Sequence, residues 1–305
     1  MKKKRLFALL MGAALATTMT ACGGSTGDAG TGGASAEGSV ETGDAGLGVI
    51  SVVSREDGSG TRGAFVELTG VEQKDADGNK TDMTTEDAII TNKTDVMLST
   101  VAGDPAAIGY VSLGSLNDNV KAVKIDGAEA TSENVKSGAY KVSRPFNVAT
   151  KGEPTGVAGD FMNFILSADG QAIVSDGYIA VDDAAAAFQT DGSSGKIVVG
   201  GSSSVSPLME KLIEAYQKIN AAAEIELQTS DSTSGMTGTI DGTFDIGMAS
   251  RELKDEEAAE LTGTAIALDG IAVIVNNENP IDELTTEQVM QIYTGEITDW
   301  ADLTK

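Results

Sequence analysis

Short apolar runs that each lead into a Gly/Ser/Thr-rich turn and then a helical repeat constrain the fold of this chain more than any other feature. The run 49–53 is followed by a turn at 55–62, and the run 197–199 by a turn at 200–204. Apolar residues then recur at helical spacing over 208–219. Because strands that alternate with helices favour parallel sheets with crossover helices, the pattern predicts an α/β fold. The 305 residues suffice for one large domain or two lobes.

Further apolar runs predict the remaining elements. We expect strands at 107–111, 120–125, 146–150, 224–227, 244–248 and 271–275. Helices are expected around 85–92, 156–166, 170–174 and 236–240. The pair Ser206 and Pro207 has the residue types of an N-cap and first helical position. The Ala-, Asp-, Gly- and Ser-rich segment 182–195 predicts a linker.

The composition excludes several classes of function. The chain has no histidine and its single cysteine is Cys22, so catalytic triads that need histidine, internal disulfides and thiolate metal sites are excluded. We expect no cofactor, no metal and no enzymatic activity. Acidic residues outnumber basic ones by 46 to 21, which disfavours nucleic-acid binding. Net charge does not decide local anion binding, because buried anion sites act through short-range hydrogen bonds and helix dipoles.

The N-terminus has the features of an export signal. Basic residues at 2–5 precede an apolar stretch at 6–16 that is too short to span a bilayer as a stable helix. Small residues before Cys22 resemble a bacterial lipobox, which implies a signal peptide at 1–21 and a lipid on the Cys22 sulfur. An ordinary signal peptide with an incidental cysteine is the alternative. The Gly/Ser/Thr/Ala-rich segment 22–46 predicts a flexible tether. We therefore expect an exported protein anchored to the outer face of the bacterial cell membrane.

Three hydroxyl-rich turns precede helices in this sequence. They lie at 55–61, 201–207 and 229–235. Exposed N–H groups at a helix start carry positive potential, hydroxyls add uncharged donors, and glycines let the backbone approach an anion. Each turn alone is more often a plain N-cap, and the first is not a P-loop because no lysine follows it. Three converging turns would form an oxyanion pocket with Arg55 as a charged clamp.

The same segments resemble a known family. The runs SREDGSGTR at 54–62, GSSSVSPL at 201–208, DIGMASREL at 245–253 and ALDGIAVIV at 267–275 closely resemble motifs of the phosphate-binding proteins of the Pst ABC transporter. PAAIGYVS at 105–112 and RPF at 144–146 are similar to the same family. The resemblance covers nearly all of 47–305.

The order of the two halves differs from the family's order. The segment that resembles the family's first half is 196–305, and the segment that resembles its second half is 47–181. This swap indicates a circular permutation in which 182–195 joins the family's old ends. A break in a surface loop leaves packed contacts intact, so the change is physically permitted. A chimera or a fragment of a tandem gene is the alternative.

The resemblance implies a two-lobe periplasmic-binding-protein-like fold of type II, with the ligand in the interlobe cleft. One lobe would combine 47–146 with 275–305 and carry the Arg55 loop. The other would be 147–274. The strands at 146–150 and 271–275 are the candidates for the two crossing strands of the hinge.

The resemblance also implies site residues. The family's phosphate ligands fall on Arg55, Ser59, Gly60, Thr61, Ser203, Ser204, Ser232 and Ser250. Asp57 would orient Arg55 as a carboxylate partner, and Ser234 is a further supporting hydroxyl. Ser250 stands where many members have an aspartate that accepts the proton of bound hydrogen phosphate. Selectivity for phosphate over sulfate is therefore open, because a serine repels a fully ionised anion less than a carboxylate does.

The implied function is capture of inorganic phosphate for an ABC-type importer by a lipid-anchored monomer. The expected partners are phosphate, a membrane permease and, through the lipid, the membrane itself. A carrier for another oxyanion such as sulfate is one alternative, and a surface phosphate sensor or adhesin is a second. A phosphatase on the same fold is a third, which the absence of histidine and of a cysteine nucleophile disfavours.

Overall fold

The computed structural model describes residues 46–75 and 79–304. The predicted signal peptide, the lipidation site at Cys22 and nearly all of the predicted tether lie outside these residues. No helix among the described residues is long and apolar enough to cross a membrane.

The described residues form strands and helices in alternation. The strands are β1 (Ser51–Arg55), β2 (Glu72–Lys74), β3 (Lys80–Asp82), β4 (Ile89–Thr91), β5 (Ala107–Ser112), β6 (Val120–Ala122), β7 (Lys124–Ile125), β8 (Ser143–Thr150), β9 (Ile179–Ala180), β10 (Gly195–Ser202), β11 (Ala223–Ser230), β12 (Ile246–Ala249), β13 (Thr262–Asn276) and β14 (Glu283–Leu284). The helices are α1 (Gly60–Thr69), α2 (Thr94–Ala102), α3 (Ser132–Ser137), α4 (Gly156–Ile165), α5 (Ala168–Val174), α6 (Ser206–Ile219), α7 (Ser232–Ile240), α8 (Asp255–Ala258) and α9 (Thr286–Thr294). Short 3₁₀ turns lie at Leu113–Ser115 and Trp300–Thr304.

One curled sheet runs through the molecule in the order β11-β10-β12-β8-β13-β5-β1-β4, and β6 and β9 also pair with β13. Its two outer parts are parallel: β10 pairs in parallel with β11 and β12, and β1 with β4 and β5. The antiparallel strands β8 and β13 join these parts. The predicted α/β class with parallel sheets is therefore confirmed.

Among the described residues, two large hydrophobic cores flank the joining strands, and a small third cluster joins Ala149, Met236, Ala249 and Leu261. The buried residues of the first core lie between 50 and 142 and between 271 and 300, together with Ile179. The second core draws on residues between 146 and 267. We call the elements around these cores the first lobe and the second lobe.

Aromatic side chains tie distant parts of the chain together in each lobe. In the first lobe Phe65 of α1 stacks on Tyr110 of β5 with ring centroids 4.0 Å apart, and Tyr293 of α9 packs edge-on against Phe65 at 4.7 Å. In the second lobe Tyr216 of α6 packs against Phe161 of α4 at 5.1 Å. The C-terminal helix α9 thus belongs to the same core as the start of the fold.

The chain passes between the lobes where β8 and β13 lie side by side. Arg144 is the cross-strand partner of Asp269, and Ile271, two residues further along β13, already pairs with β5 of the first lobe. The sequence placed the crossings at 146–150 and 271–275. In the structure the passage lies a few residues earlier in each strand, because the second core begins at Phe146 and the first core resumes at Ile271.

Two local predictions are wrong. The segment expected as a helix around 85–92 contains β4, and the helix begins only at Thr94. Ile89 and Ile90 are β-branched and pair in parallel with β1, which overrides the helical spacing. Ser206 is not an N-cap but the first residue of α6, and its hydroxyl bonds to the carbonyl oxygen of Ser202 at 3.2 Å. Segment 181–194 forms no helix or strand.

Candidate functional site

Hydroxyl side chains gather where parallel strands end and helices begin. β1, β4, β10 and β11 are each followed within about six residues by α1, α2, α6 and α7. Parallel strands end at the same edge of a sheet, and ligands of open α/β sheets bind outside those ends. The hydroxyls that come together there from both lobes are all buried; we call Thr61, Thr94, Ser202, Ser203, Ser204, Ser232 and Ser250 the hydroxyl cluster.

The hydroxyl cluster is assembled across the two lobes. Thr61 Oγ1 of the first lobe lies 2.8 Å from Ser204 Oγ and 3.2 Å from Ser250 Oγ of the second. Thr94 Oγ1, also in the first lobe, lies 3.4 Å from Ser203 Oγ. The structure therefore brings together the hydroxyls that the sequence predicted at 61, 203, 204, 232 and 250.

Two guanidinium groups orient hydroxyls of the cluster. Arg55 Nη2 donates to Ser203 Oγ at 3.0 Å, and Arg144 Nη2 donates to Thr61 Oγ1 at 3.3 Å. A guanidinium can only donate, so each hydroxyl oxygen accepts and keeps its own proton for another partner.

The serine hydroxyls also accept hydrogen bonds, from backbone N–H groups and from one another. Ser204 N donates to Ser202 Oγ at 3.3 Å, and Ser202 Oγ donates to Ser250 Oγ at 3.0 Å. Ser250 N donates to Ser232 Oγ at 3.0 Å. Each of these oxygens uses one lone pair to accept, so the hydroxyl protons of Ser232 and Ser250 can be donated, either to a neighbouring hydroxyl (Ser232 and Ser250 Oγ lie 3.4 Å apart) or to a ligand. A group of oriented, buried donors suits an anion.

The partner of Arg55 differs from the predicted one. Its Nε and Nη2 atoms donate to the two carboxylate oxygens of Glu56, each at 2.8 Å. Asp57 instead pairs with Arg62 at 3.0 Å, and its side chain is fully exposed. The backbone turns at Gly58, where φ is +87°, and this turn leaves Asp57 on the outside of the loop. The prediction that Asp57 orients Arg55 is wrong.

Two glycines let the first-lobe loop approach the second lobe. A Cβ atom on Gly60 would lie 2.3 Å from Ser232 Oγ, and one on Gly58 would lie 2.7 Å from Asp231 Oδ1. The carbonyl oxygen of Gly58 accepts from both the N–H and the hydroxyl of Thr233, each at 3.2 Å. The loop is thus bonded directly to the start of α7 across the interlobe boundary.

Two predicted hydroxyls bond only within the first turn of a helix. Ser59 is the N-cap of α1 and is buried, and its Oγ accepts from Arg62 N at 3.3 Å. Ser234 is exposed, and its hydroxyl donates to Asp231 Oδ2 at 2.5 Å. Neither hydroxyl bonds to the hydroxyl cluster: Ser59 caps α1, whereas the N-cap of α7 is Asp231, whose carboxylate also accepts from Ser234 N at 2.8 Å.

Sequence reasoning gave no role to several groups at the site. Thr94 is the first residue of α2. A hydroxyl residue at a helix start was available as a signal in the sequence, but the helix was predicted at 85–92 instead, so Thr94 was overlooked. Arg144 is buried on β8 and forms an ion pair with Asp269 on β13. Burial raises the pKa of the Asp269 carboxyl and lowers the pKa of the Arg144 guanidinium, and the charge of each partner opposes the shift of the other. Arg144 lies in the run RPF and Asp269 in the run ALDGIAVIV, and the resemblance of these runs to the family was the one sequence signal for a role of either residue.

The charged groups at the site are balanced. Among residues 46–75 and 79–304, no group of three or more histidine, cysteine, aspartate or glutamate side chains could hold a metal ion. The charged groups that contact the cluster, Arg55 and Arg144, are each paired with a carboxylate.

Comparisons with known proteins match most of the chain. The family model described as PBP superfamily domain matches residues 42–169 and 186–305. The chain is 56% identical over 261 residues to phosphate-binding protein PstS 2 of Streptococcus agalactiae, which is 85% of this chain and 89% of the relative. It is 46% identical over 254 residues to phosphate-binding protein PstS 2 of Streptococcus pneumoniae, or 83% of this chain and 87% of the relative.

A solved structure has the same fold. The crystal structure of a phosphate-binding protein of a phosphate ABC transporter from Streptococcus pneumoniae matches with a TM-score of 0.67 and 45% sequence identity. The match covers 84% of this chain and 99% of that chain.

Proposed function

Since the chain belongs to the PstS-type phosphate-binding proteins of the PBP superfamily, we propose that it captures inorganic phosphate and delivers it to an ABC importer. Capture would be reversible and would involve no chemical turnover. Closure of the two lobes on the anion would hold it, and opening would release it.

The observation that carries this proposal is the hydroxyl cluster with its oriented donors. The hydroxyls come from both lobes, so an anion that accepts from Thr61 of the first lobe and from serines of the second bridges the lobes. The proposed ligands are the predicted Arg55, Gly60, Thr61, Ser203, Ser204, Ser232 and Ser250, and Thr94 in addition. The starts of α1, α2, α6 and α7 add the positive potential of their N–H groups.

Calorimetric titration of the mature chain, from Cys22 onward, with phosphate and then with sulfate tests the proposal. We expect phosphate to bind with a dissociation constant in the micromolar range or below. Absence of heat with phosphate would refute the function. Preference for sulfate would reassign the protein to another oxyanion, since Ser250 accepts from Ser202 and keeps its own proton to donate. A chromogenic phosphate ester that stays intact would agree with binding without turnover.

We propose that residues 1–21 are removed on export and that Cys22 carries the lipid that holds the protein at the outer face of the membrane. The residues before the cysteine support this proposal. Metabolic labelling with a fatty-acid analogue should mark the wild-type protein and not Cys22→Ala, which should appear in the medium. Labelling of the variant would contradict the assignment. The permease partner and the monomeric state belong to the same proposal.

We also propose that the chain is circularly permuted relative to the order of segments in other Pst family members. The two ends of the fold lie side by side: Val49 forms an antiparallel bridge with Asp299, and Ile50 N donates to Thr298 O at 2.8 Å. The match to the Streptococcus agalactiae protein extends over 261 residues, so that relative shares the order found here. A chain reopened within 182–194, with a short loop from 304 to 49, should bind phosphate with unchanged affinity. Loss of folding would contradict the proposal.

A further inference from the structure

Arg144 is the buried guanidinium that the hydroxyl-rich motifs did not predict. It lies on β8 where the chain crosses between the lobes, opposite Asp269 on β13. Its Nη1 atom pairs with the Asp269 carboxylate and also donates to the carbonyl oxygens of Asp269 and Gly270, at 3.3 and 3.1 Å. Its Nε atom donates to the carbonyl oxygen of Ser250 at 3.3 Å. These bonds fix the guanidinium plane to both crossing strands and to the second lobe.

The remaining nitrogen reaches the first lobe. Arg144 Nη2 donates to Thr61 Oγ1 at 3.3 Å, and the same oxygen lies 2.8 Å from Ser204 Oγ. A hydroxyl has one proton and two lone pairs, and the guanidinium occupies a lone pair. The Thr61 proton therefore points away from Arg144, toward the side on which Ser204 Oγ, at 2.8 Å, and Ser250 Oγ, at 3.2 Å, lie.

We propose that Arg144 is a positioning residue of the phosphate site, which fixes Thr61 as a hydrogen-bond donor toward the anion when the two lobes meet. The inference rests on the proposed function. It assigns to the Arg144–Asp269 pair a role in recognition as well as in the hinge, because Arg144 contacts both crossing strands and both lobes at once.

The pair acts mainly through Thr61 rather than through its charge. Asp269 is completely buried against the guanidinium, and its Oδ1 also accepts from Gly114 N at 3.4 Å. The Asp269 charge offsets part of the attraction that the guanidinium exerts on an anion at the cluster. The effect of Arg144 on affinity should consequently be much smaller when the Thr61 hydroxyl is absent.

A double-mutant cycle on the mature chain tests this dependence. Phosphate dissociation constants are measured by calorimetry for wild type, Arg144→Lys, Thr61→Val and the double variant. Lysine keeps the positive charge, but its single ammonium group cannot donate hydrogen bonds to Asp269, Ser250 and Thr61 at the same time. We expect Arg144→Lys to weaken phosphate binding by at least tenfold in the wild-type background and by less than threefold in the Thr61→Val background.

The double variant Arg144→Gln/Asp269→Asn provides a second test, because it replaces the ion pair by two amides and leaves no uncompensated buried charge. It should also weaken phosphate binding by at least tenfold. The matched control is Tyr216→Phe, which removes another buried bond, to Asp160 Oδ2 at 2.8 Å, from the core of the second lobe. The control should lower the melting temperature of the ligand-free protein and leave the phosphate dissociation constant unchanged.

Each result decides the matter. Equal losses for Arg144→Lys with and without Thr61 would show that Arg144 acts on the anion independently and would overturn the proposal. Wild-type affinity in the neutral double variant would also overturn it. If neither Arg144 variant gives a cooperative melting transition, the pair is needed for the fold alone, and the proposal is likewise overturned. If unsubstituted protein fails to bind phosphate, the proposed function itself is refuted, which is a distinct outcome.

Discussion

Gly60 at the start of α1 allows the lobes to close, and a single methyl group there should act as a wedge. In Gly60→Ala the new Cβ would lie 2.3 Å from Ser232 Oγ, 2.9 Å from Ser250 Oγ and 3.0 Å from Arg251 Cγ. A carbon and an oxygen atom normally approach to about 3.3 Å, so either the Ser232 hydroxyl must break its bond with Ser250 N and turn away, or the lobes must separate by about 1 Å at this point. The clash exists only between lobes, and we therefore expect closure to suffer while each lobe stays folded.

The size of the effect follows from the cost of overpacking. An added methyl group in a well-packed contact costs about 1–3 kcal/mol, which corresponds to a loss of phosphate affinity of about 5-fold to 100-fold. The backbone N–H of residue 60 is retained in the variant. Any loss of affinity therefore reports the clash with the second lobe and not a missing donor at residue 60.

Gly63 on the same helix provides the control. It is exposed, and a Cβ atom built there meets nothing within 4 Å. Gly63→Ala should leave phosphate affinity unchanged and raise the ligand-free stability by up to about 1 kcal/mol, since alanine favours the helix. Calorimetric titration and thermal melting with and without phosphate measure both quantities. Wild-type affinity in Gly60→Ala, or an equal loss in Gly63→Ala, would refute the reasoning.

Three further perturbations test the remaining contacts. Arg55→Ala removes the charge-assisted bond to Ser203 and should weaken phosphate binding by about 10-fold to 100-fold in calorimetry, from the loss of about 1.5–3 kcal/mol; an unchanged dissociation constant would end its role as the clamp. Thr233→Val removes one of the two bonds to the loop carbonyl and should speed phosphate release about 3-fold to 10-fold in stopped-flow measurements, by about 0.5–1.5 kcal/mol, with equal rates counting against the contact. The Glu257 carboxyl is raised in pKa by desolvation, but the hydrogen bonds and charge of Arg251 dominate and hold its pKa below the usual value. A lowered pKa adds stability above the unfolded pKa of about 4.3 and loses it as the pH falls through the folded pKa. Glu257→Gln should accordingly cost about 1–3 kcal/mol in urea unfolding at pH 7 and less at pH 4, and an equal cost at both would contradict the assignment.

The parts of the fold that the sequence predicts are those set by local pattern. The apolar runs at 107–111 and 271–275 are continuous and lie in buried strands, and the amphipathic spacing after residue 206 gives α6. The segment 85–92 fails because its turn residues and two isoleucines fit either element. The segment becomes a strand because it pairs with β1, which lies more than 30 residues earlier, and no local sequence pattern predicts that pairing.

The candidate site divides in the same way. Ser203 and Ser232 follow strands and begin or precede helices, so their position is readable from the sequence. The partner of Arg55 is not, because Glu56 and Asp57 are adjacent carboxylates and only the turn at Gly58 decides which faces the guanidinium. Arg144 was hidden for a different reason: its role depends on a cross-strand neighbour at 269 and on a hydroxyl at 61.

A chain with a net charge of −25 can hold an anion because the site attracts it only at short range. Both guanidiniums at the hydroxyl cluster are matched by carboxylates, so the site carries no excess positive charge before the ligand arrives. Two unmatched buried guanidiniums would be costly to keep in the free protein. Paired guanidiniums can still orient hydroxyls, and surface charges more than about 8 Å away are screened at physiological salt. We propose that recognition then rests on the direction of hydroxyl protons and helix N–H groups. In this proposal, turns that are plain caps one by one form the binding site once both lobes bring them together.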